Sequence, residues 1–150
     1  MKLKTVGEIL DFAIKNEEDA YQFYTDLAKK MERPQMKKVF EDFAKEEQGH
    51  KQKLLGVKSG KTALPSKEKV QDLRIGDHLA EVKLRTDISY QDALILAMKS
   101  EKAAYRLYNE LADAADDQNA RNLFLNLAQE EARHKLRFEI EYDDFAYREN

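Results

Sequence analysis

An all-α four-helix bundle, built from two repeated antiparallel hairpins joined by one long crossover, is the fold class predicted by this 150-residue sequence, and three observations predict it. The first is composition: five glycines and two prolines stand against abundant Ala, Leu, Glu, Lys, Asp and Arg, the usage of helices rather than of turn-rich sheets. The second is duplication. AIKNEEDAYQFYTDLA at residues 13–28 returns as AMKSEKAAYRLYNELA at 97–112, and VFEDFAKEEQGH at 39–50 returns as LFLNLAQEEARH at 123–134, both at an offset of 84 (13 to 97, 39 to 123). The third is periodicity, because apolar residues recur at heptad spacing through all four segments.

The first helix is expected near residues 4–31, with a seam of Leu3, Val6, Leu10, Ala13, Ala20, Tyr24, Leu27 and Met31. Pro34 punctuates the break before the second, near 35–57, whose seam is Met36, Phe40, Phe43, Leu54 and Val57. The third and fourth are expected near 87–114 and 118–146, separated by the polar stretch 113–119. Short breaks make each hairpin (4–57 and 87–146) antiparallel. The crossover, 58–86, is long enough to travel the length of a bundle and lets the second and third helices run parallel. Gly56, Gly60 and Pro65 mark loop there, and 67–84 is expected to form a short extra helix.

The length matches one ordinary domain, spanning 1–150. No apolar run of about 18 residues is available for a membrane span, and Met1-Lys2-Leu3-Lys4 leads straight into an amphipathic pattern, so a cytoplasmic protein that binds no membrane is expected. Without cysteine there is no thiolate, disulfide or iron–sulfur cluster, and any metal must be held by His, Asp or Glu. The net charge of −3 is spread over interspersed charges with no basic stripe, which gives nucleic-acid binding no support.

Each seam is interrupted once, and at matching places. Glu17 and Glu101 take core positions in the first and third helices; Glu47 with His50, and Glu131 with His134, take them in the second and fourth. Four facing core carboxylates lose hydration and raise one another's pKa, so a cation must sit among them. Two divalent ions carry the charge that four ionised glutamates offset, with the histidines as neutral ligands. Residues three apart share a helix face, so each Glu-x-x-His can serve one metal, and the lone glutamates complete a centre with pseudo-two-fold symmetry.

At these residues the chain resembles the rubrerythrin branch of the ferritin-like di-iron carboxylate family, over all four helices. The resemblance implies two iron ions, manganese or zinc being alternatives, that react with dioxygen or hydrogen peroxide, with peroxidase or ferroxidase chemistry, in a homodimer. It implies Glu17 and Glu101 as lone carboxylate ligands, Glu47 and Glu131 as bridges, and His50 and His134 as terminal ligands. Two departures accompany it. The extra glutamate that rubrerythrins carry one turn after the third-helix ligand is Ala104 here, so the resemblance does not extend to the ligand exchange attributed to that glutamate. There is no cysteine-rich rubredoxin module, so electrons are expected from a separate protein. The ligand set is also similar to that of bacterioferritins, but Gln48 and Gly49 provide no methionine for haem, and no haem is expected.

Tyr24 and Tyr108, seven residues beyond Glu17 and Glu101, are candidate catalytic residues: a phenol there can hydrogen-bond a ligand carboxylate or supply an electron, and the plainer role is packing. Glu46 and Glu130 are rotated about 100 degrees from their neighbouring ligands and read as rim or ion-pair residues. His78 reads as an ordinary surface histidine. Besides the oxidoreductase, two other functions fit the pattern: an iron-storage assembly, and a metal-free interaction bundle whose polar layer fixes register.

Overall fold

The computed structural model describes residues 2–149, and these form four long helices and one short one. They are α1 (Val6–Lys30), α2 (Pro34–Lys58), α3 (Lys67–Asp72), α4 (Tyr90–Asp113) and α5 (Gln118–Glu149), with a 3-10 turn at Ile75–Asp77. Local chemistry sets the starts. Thr5 and Glu8 form a capping box, Thr5 Oγ1 accepting from Glu8 N at 3.0 Å and Glu8 Oε1 from Thr5 N at 3.1 Å. Pro34 opens α2 where no amide hydrogen is needed. Ser89 Oγ caps α4 through Asp92 N, and Asp117 Oδ2 accepts from Ala120 N at the head of α5. These caps place the helices within a few residues of the expected bounds, α4 starting at 90 rather than 87 because Ser89 is its cap.

Contacts between the hairpins fix the topology. Tyr24 of α1 meets Glu101 and Glu17 meets Tyr108, so α1 and α4 run antiparallel. Phe40 stacks on Phe138 and His50 meets Glu130, so α2 and α5 also run antiparallel. It follows that α2 and α4 point the same way and that the crossover spans the bundle from end to end. Among the described residues, no helix is long and apolar enough to cross a membrane.

The expected helix over 67–84 is confined to Lys67–Asp72 and the 3-10 turn. Arg74 takes a left-handed conformation, φ 54°, which breaks the helix there. Beyond it, residues 79–85 form no helix and 86–88 bend, with Val82, Leu84, Thr86 and Ile88 half-buried and Glu81, Lys83, Arg85 and Asp87 exposed between them. The turn itself is pinned to the N-terminus, Leu3 N donating to Gly76 O at 3.0 Å. A Cβ on residue 76 would lie 1.7 Å from the Leu3 carbonyl oxygen, so only glycine allows this approach. Gly76→Ala is expected to destabilise the fold by about 1–3 kcal/mol through forced separation of the two segments, read as a lowered thermal midpoint; an unchanged midpoint would contradict the contact.

The core divides in two. One cluster is mainly aliphatic, around Ile9, Leu10, Leu54, Leu111 and Leu127. The other is aromatic, around Phe23, Tyr24, Phe40, Phe43 and Phe138. The aromatic end is closed by a buried carboxylate that sequence reading passed over: Glu141 accepts from Arg33 Nη2 at 2.7 Å and from Tyr90 Oη at 2.9 Å, joining the α1–α2 connection to α4 and α5. Its position seven residues beyond His134, on the same face, was the available signal. Between the two clusters lies a layer of charged side chains.

Candidate metal centre

Helical periodicity carries six polar side chains into that layer. Glu17, Glu47, His50, Glu101, Glu131 and His134 are each no more than 2% exposed. The structure brings together all six residues expected from the sequence. They fall into two overlapping groups of possible metal-holding residues, Glu17, Glu47, His50 and Glu131 in one, Glu47, Glu101, Glu131 and His134 in the other, with one donor atom from each residue within 4.8 Å of the others in its group. Glu47 and Glu131 belong to both groups, the position required of a bridging carboxylate.

The outer atoms of four of these side chains, Glu17, Glu101, His50 and His134, are anchored, and the anchors obey the repeat. Tyr24 Oη donates to Glu101 Oε1 and Tyr108 Oη donates to Glu17 Oε1. Each phenol thus holds the glutamate of the opposite hairpin rather than that of its own helix, which lies two turns, roughly 10 Å, away along the axis. Burial, and next the charge of Glu101 on Tyr24 or of Glu17 on Tyr108, pushes both phenols well above their usual pKa, so they keep their protons and donate. On the far side His134 Nε2 lies 2.7 Å from Glu46 Oε2, and His50 Nε2 is paired with Glu130 in the same way. Glu46 also receives Arg133, and its pKa falls to about 2, chiefly through the His134 hydrogen bond. Carboxylates on the outer nitrogen fix the ring orientation and turn Nδ1 inward. Phe43 stacks on His134 with ring centroids 4.0 Å apart, closing that side to water.

The inner atoms have no such partners. Glu17 Oε2, Glu47 Oε1, Glu101 Oε2, Glu131 Oε1, His50 Nδ1 and His134 Nδ1 are buried without a hydrogen bond. His50 Nδ1 lies 2.9 Å from Glu131 Oε1 and His134 Nδ1 lies 3.1 Å from Glu47 Oε1, within ion-pair reach but without the direction a hydrogen bond needs. Leaving six polar atoms so placed is costly, and the metal-free chain softens that cost by holding protons. Burial, then the charges of neighbouring glutamates, raises the carboxyls of Glu47 and Glu131 well above the usual range. Burial opposes charge on the imidazoles, yet Glu131 and Glu17 push His50 up to about 11, and Glu101 and Glu46 push His134 up to about 10. Oxygen and imidazole donors converging on two overlapping positions, with matched charge, fit a pair of divalent ions.

If the phenols orient the carboxylates for metal, Tyr24→Phe is expected to weaken metal affinity by roughly 10–100-fold, the range for loss of an outer partner. Chelator competition would measure it, and an unchanged affinity would return Tyr24 to a packing role.

No curated protein matches the chain. Among solved structures, a hypothetical protein from Pyrococcus furiosus is 24% identical with a TM-score of 0.67, the match covering 93% of this chain and 89% of that one. A protein from Thermotoga maritima, described as a proposed ferritin-like diiron-carboxylate protein, is 19% identical with a TM-score of 0.73, over 95% of this chain and 97% of that one. At these identities the likeness establishes the fold, a ferritin-like four-helix bundle. The rubrerythrin family pattern matches residues 8–142. With nine-tenths of the chain inside that match and the duplicated Glu and Glu-x-x-His set gathered in its core, the chain belongs to the rubrerythrin family.

Proposed function

We propose that the protein is a di-iron carboxylate oxidoreductase, oxidising ferrous iron and reducing hydrogen peroxide or dioxygen at a site of four glutamates and two histidines. The observation that carries this reading is the set of six buried donor atoms without hydrogen-bond partners, on side chains of which four, Glu17, Glu101, His50 and His134, are held by their outer atoms. Glu47 and Glu131 would bridge; Glu17 with His50, and Glu101 with His134, would complete each position.

When bound, a ferrous pair supplies two electrons, one from each ion, enough to reduce one hydrogen peroxide with two protons to two waters. The chain supplies the rest. Tyr24 and Tyr108 hold the lone carboxylates in place, and Glu46 and Glu130 hold the imidazoles. The aromatic and aliphatic clusters on either side exclude bulk water from the layer, which strengthens every charge interaction inside it.

Anaerobic titration with ferrous iron, followed by hydrogen peroxide or air, tests the reading. Saturation at two irons per chain and rapid growth of near-ultraviolet ferric absorption are expected. Absence of binding would remove the proposal and favour a metal-free interaction bundle, whereas sedimentation as a large hollow assembly would favour storage.

A further inference from the structure

The layer is sealed on one flank and thinly covered on the other. Toward α2 and α5 the two histidine–glutamate pairs and the Arg133–Glu46 ion pair span the gap between helices. Toward α1 and α4 a cavity of about 20 Å³ leads outward from the centre. Its floor is Glu17, Glu47 and Glu131, and one buried oxygen of each lacks a hydrogen-bond partner. Asn16 and Ala20 of α1 and Ser100 and Ala104 of α4 form its walls, and Ala80, Val82 and Leu84 of the crossover lie over it.

Three features separate this cavity from a packing defect. Its floor is made of three carboxylates of the centre, whereas voids left by imperfect packing are apolar, and its volume admits one water-sized molecule. Its helical lining comes mostly in repeat-related pairs, Asn16 with Ser100, Asp19 with Ala103, Ala20 with Ala104, and Glu47 with Glu131, with Glu17 alone present without its mate Glu101, so it opens close to the pseudo-two-fold axis onto the two carboxylates shared by both groups. A molecule inside it therefore meets both halves of the centre at once. The cover, finally, is lightly held. Among the described residues no backbone–backbone hydrogen bond involves residues 79–88, and the segment is fastened by Leu79, Leu84 and Ile88 on the cores and by Lys30 on the Thr86 carbonyl. Segments with few backbone hydrogen bonds open at low free-energy cost.

We infer that this opening beneath Val82 is the access route by which a small neutral two-oxygen molecule, dioxygen or hydrogen peroxide, reaches the centre, with Ala104 setting its width. The inference rests on the di-iron reading above. The volume, about 20 Å³, disfavours alkyl peroxides by size.

Nitric oxide, a neutral diatomic that reports on ferrous iron by absorption without turnover, tests the route in the full chain. Ala104→Leu is expected to bind two irons as the parent does and to slow nitric oxide association at least about tenfold, since binding then requires a prior rearrangement. Val82→Ala, which trims the cover, is expected to speed association. Equal rates in all three proteins with full iron loading would overturn the route and leave the di-iron reading standing. Should Ala104→Leu fail to fold, Val82→Ala decides alone: faster association supports the route and an unchanged rate overturns it. A parent chain that holds no iron overturns both.

Discussion

Metal-free protein is expected to lose stability as the pH is raised from about 5 toward about 10, and bound divalent metal is expected to reverse the trend. The sign follows from four groups. Glu47 and Glu131 have folded pKa values well above the unfolded carboxyl value of about 4.3. Above that value the unfolded chain releases protons that the folded chain still holds, so folding weakens as pH rises through the window. His50 and His134, raised to about 11 and about 10, act in the same sense: their ion-pair stabilisation is complete below about 6.5 and disappears as pH climbs through the folded values. Each such group contributes a slope of about 1.4 kcal/mol per pH unit while its folded form alone is protonated. Glu46, depressed to about 2 by His134, acts only in acid, where its stabilisation is lost as pH falls. Metal inverts the dependence because it binds the deprotonated ligands, adding about 4 kcal/mol per ion at a thousandfold excess over Kd. Thermal unfolding of metal-free and metal-loaded protein between pH 5 and 9 should give midpoints that diverge with pH; parallel curves would show that the metal does not displace those protons.

Glu47→Gln and Glu131→Gln are expected to abolish both metal positions together, whereas Glu17→Gln and Glu101→Gln should spare one. The asymmetry follows from membership: Glu47 and Glu131 contribute to both groups of donors, Glu17 and Glu101 to one each. Loss of affinity should exceed the roughly 100-fold reached when outer partners are removed, and direct metal analysis would give the stoichiometry. The same substitution should make the metal-free chain more stable at alkaline pH, because an amide has no proton to release and one source of the adverse slope disappears. A Glu47→Gln variant that still held two ions would show that the carboxylate is not shared, and one less stable than the parent at pH 9 without metal would show that its proton is not a source of the slope.

The seams were readable because a charge at a core position of an amphipathic helix is conspicuous, and the duplication made Glu17 and Glu101, or His50 and His134, corroborate each other. The start of α2 was readable from Pro34, whereas the caps Thr5 and Ser89 put the starts of α1 and α4 a few residues later than periodicity alone suggests. Glu46 and Glu130 read as rim residues because one helix's periodicity shows only that they face sideways; that their carboxylates meet the opposite hairpin's histidines depends on how α2 and α5 are juxtaposed. Tyr24 and Tyr108 were legible as neighbours of the layer, but periodicity along one helix does not reveal a partner across the bundle. The crossover was the least legible part, since its path depends on Gly76 meeting Leu3, a contact between segments far apart in sequence.

The reciprocal bonds, Tyr24 to Glu101 and Tyr108 to Glu17, have an implication for ancestry. Neither half furnishes its own supports; each lends them to the other, so a lone hairpin would be incomplete while two identical hairpins related by a true dyad would lack nothing. Fusion of such a pair into one polypeptide would preserve the chemistry and release the halves from identity. The mismatches Asn16 with Ser100, Glu18 with Lys102 and Asp19 with Ala103 are the freedom that fusion grants.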